Sequence, residues 1–151
     1  MARDIILSIV TEVTPSTGDG PAGFGGWVFL LSRLLLVWQP LNLAVAAVTA
    51  LNALALRGWP LGALLLLRVS VTGFGMAAAL ALQNLRPGAV TMAKAAVAAS
   101  ALTDLLVYST PYFPNNRPPG DTVLYAGASL AIHLIWLAYL FRSVRVRNTF
   151  F

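Results

Sequence analysis

Cysteine is absent from this chain of 151 residues, and histidine occurs once, at His133. The first absence removes disulfides, thiolate metal sites, iron-sulfur ligation and thiol nucleophiles. The second closes paired-histidine metal sites and bis-histidine haem ligation within one chain. Charge is also scarce: Asp, Glu, Lys and Arg make up 10% of the residues, against roughly a quarter in a soluble domain. Hydrophobic residues make up 58%, and mean hydropathy is +0.78, a composition suited to lipid rather than water as solvent. The net charge of +5 would point to nucleic acid if the basic residues gathered on one solvated face. They sit instead at the ends of apolar runs, where they act as topology signals, so no nucleic-acid partner is expected.

Catalytic motifs are missing as well. The glycine cluster Gly23, Gly25 and Gly26 lacks the Lys-Ser/Thr and the preceding strand of a Walker phosphate loop. There is no His-Glu-x-x-His and no carboxylate pair suited to acid-base hydrolysis. Ser32, Ser70, Ser100 and Ser109 have only His133 to activate them, and helical serines usually bond their own backbone. No catalytic, cofactor-binding or metal-ligating residue is therefore expected, and an enzyme is the least favoured class.

What is present is four long apolar stretches. A hydrocarbon core about 30 Å thick needs roughly 20 helical residues to cross, and stretches at about 26–51, 59–82, 89–112 and 122–141 suffice. Arg57-Gly58, Arg86-Pro87-Gly88 and a Pro-rich segment separate them. The expected fold is all-α, a polytopic four-transmembrane-helix bundle over residues 24–150. The first two spans nearly touch and must form a tight hairpin. Residues 1–23, rich in Gly and Pro, read as a flexible arm, with a short surface-lying helix at Ile5 to Val13 as the alternative. The apolar run Ile5 to Val10 is too short for a signal peptide. Pro40 interrupts the first span and frees the Leu36 carbonyl, with Gln39 and Asn42 beside it. Small residues four apart, Gly75 and Ala79, then Ala95 and Ala99, offer stripes for close helix approach inside the bundle or between chains.

An even number of spans puts both termini on one side. Arg3, Arg86, Arg142, Arg145 and Arg147 fall on that side and only Arg57 and Arg117 on the other, so the termini are expected to be cytoplasmic. Trp27, Trp59, Tyr112, Phe113 and Phe141 lie near span ends, as in an interfacial aromatic belt. Arg142, Arg145 and Arg147 form a basic segment that would anchor the last helix to anionic lipid headgroups, each worth about 1 kcal/mol.

Phe24-Gly25-Gly26-Trp27 precedes the first span, and Phe141-Arg142-Ser143-Val144-Arg145-Val146-Arg147-Asn148-Thr149-Phe150 follows the fourth. With four spans in this length, the layout resembles the bacterial family catalogued as domain of unknown function 2569. That family has a similar Gly-Gly-Trp entry and Ser-x-Arg-Val-x-x-Thr-Phe exit; Val144 stands where its pattern has Lys. The resemblance would cover residues 24–150. It implies the bacterial inner membrane as location and no assigned chemistry.

The remaining signal is depth. At 1.5 Å per residue, Arg68 lies roughly 13 Å, Asp104 roughly 12 Å and His133 roughly 16 Å from the ends of the second, third and fourth spans on one side. Charges at such depth cost at least about 2.5 to 3.5 kcal/mol and face a bundle interior, where they pair. An Arg68–Asp104 ion pair with His133 close by is expected, extended by Thr72, Ser100 and Tyr108 one helical turn away. The pair could fix helix register or form a proton or anion site. Three classes stay open. The first, favoured by the low chemical content and the basic tail, is a non-catalytic accessory, scaffold or regulatory subunit, joined to another membrane protein or to copies of itself. The second is a small oligomeric transporter or channel using the Arg-Asp-His cluster, and the third a membrane enzyme.

Overall fold

The computed structural model describes residues 23–113 and 121–151. The expected arm lies outside them apart from Gly23, as does most of the Pro-rich segment. The described chain is all-helical, with four helices long and apolar enough to cross a membrane: α1 (Trp27–Arg57), α2 (Trp59–Gln83), α3 (Ala89–Ser109) and α4 (Thr122–Arg142). A short α5 (Val144–Phe150) follows. This is the build of a multi-pass membrane protein.

The first helix runs six residues beyond the expected end at Leu51 because nothing before Gly58 stops it. Its 31 residues are about 46 Å long, more than a bilayer core requires. Gly58 alone makes the hairpin, at φ 66 and ψ −159, a conformation essentially reserved for glycine. Pro60 then sits in the first turn of α2, where its missing N–H has no intrahelical partner to lose. The interruption at Pro40 takes the form of a π-helical turn over Leu34–Trp38 inside α1. A proline ring collides with the carbonyl four residues back, here Leu36, and a widened turn just before it makes room. The third span ends at Ser109 rather than near Tyr112, and α4 extends one residue further than expected, to Arg142.

Packing follows chain order: α1 lies on α2, α2 on α3, and α3 on α4. The central helix is α3, whose buried face carries Ala89, Ala93, Ala96, Val97, Ser100, Thr103 and Val107. Small side chains there let the neighbouring helices approach closely, since association in lipid rests on packing rather than hydrophobic burial. Of the expected stripes, Gly75 and Ala79 are buried inside the chain, whereas Ala95 is exposed and Ala99 half-buried. The α3 contact face is thus rotated from Ala95 and Ala99 toward Ala93 and Ala96.

Two apolar clusters result. The larger, at the end of the bundle that holds both ends of the described chain, joins Val28, Leu31, Leu82, Val90, Leu140 and Val146. The smaller, at the end marked by the Gly58 hairpin, joins Ala50, Leu61, Val107 and Phe113. Phe113 is only 4% exposed, so it leaves the expected aromatic belt for the interior, while Trp27, Trp59, Tyr112 and Phe141 stay outside.

Candidate functional site

Arg68 on α2 and Asp104 on α3 form an ion pair, with Nη2 3.8 Å from Oδ1. The other carboxylate oxygen accepts from Ser129 Oγ on α4 at 2.6 Å. The Ser129 backbone carbonyl in turn accepts from His133 Nδ1 at 2.8 Å. Three helices are thereby joined through guanidinium, carboxylate and hydroxyl in series, with the imidazole attached by way of the Ser129 backbone. Ser129 is the link that sequence reasoning missed. Its signal was there: it lies four residues before His133, on the same helical face.

The earlier end of α3 changes the depth of Asp104. Counted from Ser109, the carboxylate residue lies about 7.5 Å from the helix end, shallower than expected. Arg68 reaches it from deeper in α2, and its guanidinium also stacks over the Phe113 ring at 5.1 Å. That contact adds to the packing on Ala50, Leu61 and Val107 that buries Phe113, because an aromatic face attracts a cation shielded from water.

These groups line a cavity of about 330 Å³ walled by all four long helices. Thr72, Ser100 and Tyr108 line it too, so all six expected residues are gathered there. Ser100 takes a partner of its own, accepting from Gln39 Nε2 at 2.9 Å. Gln39 follows directly on the π-helical turn, and its Oε1 is buried without a hydrogen-bond partner among the described residues. That oxygen fits because Gly75 has no side chain: a Cβ there would stand 2.6 Å from it. Near the terminal end, Gln83 Nε2 donates to the fully buried Ser32 Oγ at 2.8 Å, linking α2 to α1.

The basic segment is divided in its surroundings. Arg142 and Arg147 are exposed, while Arg145 is half-buried, its Nη1 only 3.1 Å from where a Cβ on Gly25 would stand and 3.3 Å from one on Gly26. Thr149 Oγ1 accepts from the Gly23 amide at 2.8 Å. Phe24 and Phe150 both pack on the larger apolar cluster. The entry and exit segments therefore touch each other, which gives Thr149, Phe150 and the paired glycines a joint structural task. Across the hairpin end, Arg57 Nη1 donates to the Pro111 carbonyl and ties the ends of α1 and α3 together. Lys94 Nζ sits 4.0 Å above the Phe141 ring.

The chemistry open to the cluster follows from its donors. Because a carbonyl accepts from His133 Nδ1, that nitrogen carries a proton and cannot serve as the base for Ser129 Oγ, 3.5 Å away. Ser129 already donates to Asp104, so the arrangement is not that of an activated serine. What it offers is a balanced polar lining in an otherwise apolar cavity, with hydrogen-bonding groups in series. No family model, curated protein or solved structure matches the chain.

Proposed function

We propose that this chain is a small bacterial inner-membrane protein, with cytoplasmic termini, that binds and passes a small polar species at the Arg68–Asp104–Ser129–His133 chain. The observation that supports this reading is the cavity itself. Ionisable groups from three helices line its wall and are held in register by hydrogen bonds, at a depth where a charge without a task is selected against. In this reading Asp104 and His133 are the groups that exchange protons or hold the passenger, and Arg68 sets the local charge. The basic balance of Arg86, Arg142 and Arg147 supports the orientation, and the layout resembling domain of unknown function 2569 supports the bacterial membrane. The test is flux of protons or small ions in liposomes containing only this protein. Asp104→Asn and His133→Gln should each lower the rate at least tenfold with the protein still folded; equal rates would remove the transport reading.

A second reading, an accessory subunit, is favoured by one feature. α4 packs along α3, but meets α1 mainly through the Trp27 and Trp136 rings, 5.9 Å apart. An unsealed flank of this kind suits a further helix, from another copy or another membrane protein, and exposed Arg142 and Arg147 suit anionic headgroups beside it. Discrete higher-mass species on crosslinking in native membranes are expected from this reading, and monomer at every crosslinker length would count against it.

A further inference from the structure

We infer that the cavity takes its ligand from the bilayer, and that the ligand is an uncharged amphiphile whose head carries carbonyl or hydroxyl oxygens. The inference rests on the reading of the cavity as a binding site, and puts a neutral ligand in place of the small ion considered there. The first argument is charge. Arg68 and Asp104 cancel, so the ion pair in the lining carries no net charge. An anion taking the remaining Arg68 donors would stand beside the Asp104 carboxylate, a like charge that repels it and competes for the same guanidinium. A cation would have to take Asp104 from both Arg68 and Ser129. Breaking such a pair leaves one uncompensated charge, whereas a neutral head leaves it intact.

The second argument is hydrogen bonding. Arg68 has five N–H donors, and its one contact with Asp104 uses only a part of them. His133, with its proton on Nδ1, keeps Nε2 as an acceptor when neutral. A donor and an acceptor on facing helices match a head bearing a carbonyl, a hydroxyl or both. The third argument is the wall. Leu34 and Trp38 on α1 and Ile132 and Trp136 on α4 line the cavity, apolar residues suited to a hydrocarbon body or a flat ring. Those same two helices pack little on each other beyond the Trp27 and Trp136 rings, so in a bilayer the gap between them would open to lipid. The volume of about 330 Å³ falls within the range of small-molecule sites, about 300 to 1,000 Å³.

Two sources in a bacterial membrane share this chemistry, isoprenoid quinones and diacylglycerol. The experiment titrates the full chain, in phosphatidylcholine nanodiscs free of both, with decylubiquinone while tryptophan fluorescence is read. Trp38 and Trp136 border the site, so a bound quinone ring should quench them in a saturable way. Ile132→Phe, at a position exposed to the gap, should narrow the entrance and raise the half-saturating mole fraction at least fivefold. His133→Leu should do the same by removing the acceptor, with helical content checked by circular dichroism. Displacement of quinone by short-chain diacylglycerol would show that any neutral oxygen-bearing head is accepted, and no displacement that the site is selective for quinone. Saturable diacylglycerol binding without quinone binding, read by a fluorescence shift, would also support the inference. Quenching linear in quinone and unchanged in Ile132→Phe, without saturable diacylglycerol binding, would overturn it, as would saturable binding of phosphatidic acid alone. Flux measured on the same preparations separates the two ideas. Binding without flux keeps this inference and removes transport, and flux without binding does the reverse.

Discussion

The two ends of the bundle are built differently. At the terminal end the side chains interdigitate until Val28, Leu31, Leu82, Val90 and Val146 are all but inaccessible, and the chain's entry and exit are fastened to each other. Toward the hairpin end the apolar cluster is small, and a cavity with an ion pair, reaching back to Leu31 and Trp136 of the larger cluster, takes the place of packed side chains. Since apolar surface gains nothing by leaving lipid for protein, close packing at one end holds the helices together. Polar links at the other hold a space open. Apolar packing and polar links thereby share the task of holding the bundle, and each can be attacked separately.

The largest effect is expected where charge is at stake. Asp104→Ala leaves the Arg68 guanidinium without its counter-ion, and breaking a shielded pair in this way costs about 3 kcal/mol. Partial exposure, 17% for Arg68 and 25% for Asp104, keeps the loss at that end of the range. Unfolding by graded SDS in mild detergent would measure it. Adding Arg68→Met to Asp104→Ala should restore most of the loss, because it replaces the stranded charge with an apolar side chain. A single mutant as stable as the parent would mean that the pair does not organise the hairpin end.

A smaller effect is expected at the boundary between the two halves. Gly75→Ala would place a Cβ 2.6 Å from Gln39 Oε1, so the amide must move and its bond to Ser100 should be lost. A neutral hydrogen bond of this kind is worth about 1 kcal/mol. The sharper measurement is a double-mutant cycle: in a Gln39→Ala background the same Gly75→Ala change should cost almost nothing. Equal costs in both backgrounds would place the Gln39 side chain elsewhere.

These details show what the sequence could and could not convey. The four spans were legible because hydrophobic runs and Gly-Pro breakers act locally, and the end of α1 was misjudged because bilayer thickness does not stop a helix whereas Gly58 does. The gathering of Arg68, Asp104 and His133 followed from depth, since ionisable groups inside a membrane core face the bundle interior and pair, and the long Arg68 side chain spans the difference in level that the early end of α3 leaves. Depth says nothing of rotation about a helix axis. For that reason Ser129 was overlooked, Phe113 was placed outside, and the contact face of α3 was put on Ala95 and Ala99. Thr149 and Phe150 had no reading at all, because their partners, Gly23 and the cluster that also holds Phe24, lie at the far end of the chain. Local pattern cannot report such a contact.

That long-range contact gives the smallest effect and the closest test of the terminal end. Thr149 Oγ1 accepts from the Gly23 amide at 2.8 Å and lies 3.5 Å from the Gly23 carbonyl, to which it donates. Thr149→Val keeps the shape and removes the hydroxyl. Because the site is exposed, water can replace the bond, and the loss should be no more than about 1 kcal/mol. Global unfolding would barely register this, but local opening would. A change of 1 kcal/mol corresponds to roughly a fivefold rise in the open population, and hydrogen exchange at the Gly23 amide should accelerate by up to that factor. Thr149→Ser should restore protection, since it returns the hydroxyl without the methyl. Exchange at Asn84 and Thr110, whose amides just past α2 and α3 donate to the Leu80 and Leu106 carbonyls, should stay unchanged in both variants. Acceleration confined to the Gly23 segment would establish that the entry is held by the exit. Equal exchange in parent and Thr149→Val would show that the fastening rests on Phe24, Phe150 and Arg145 packing, with the hydroxyl a bystander.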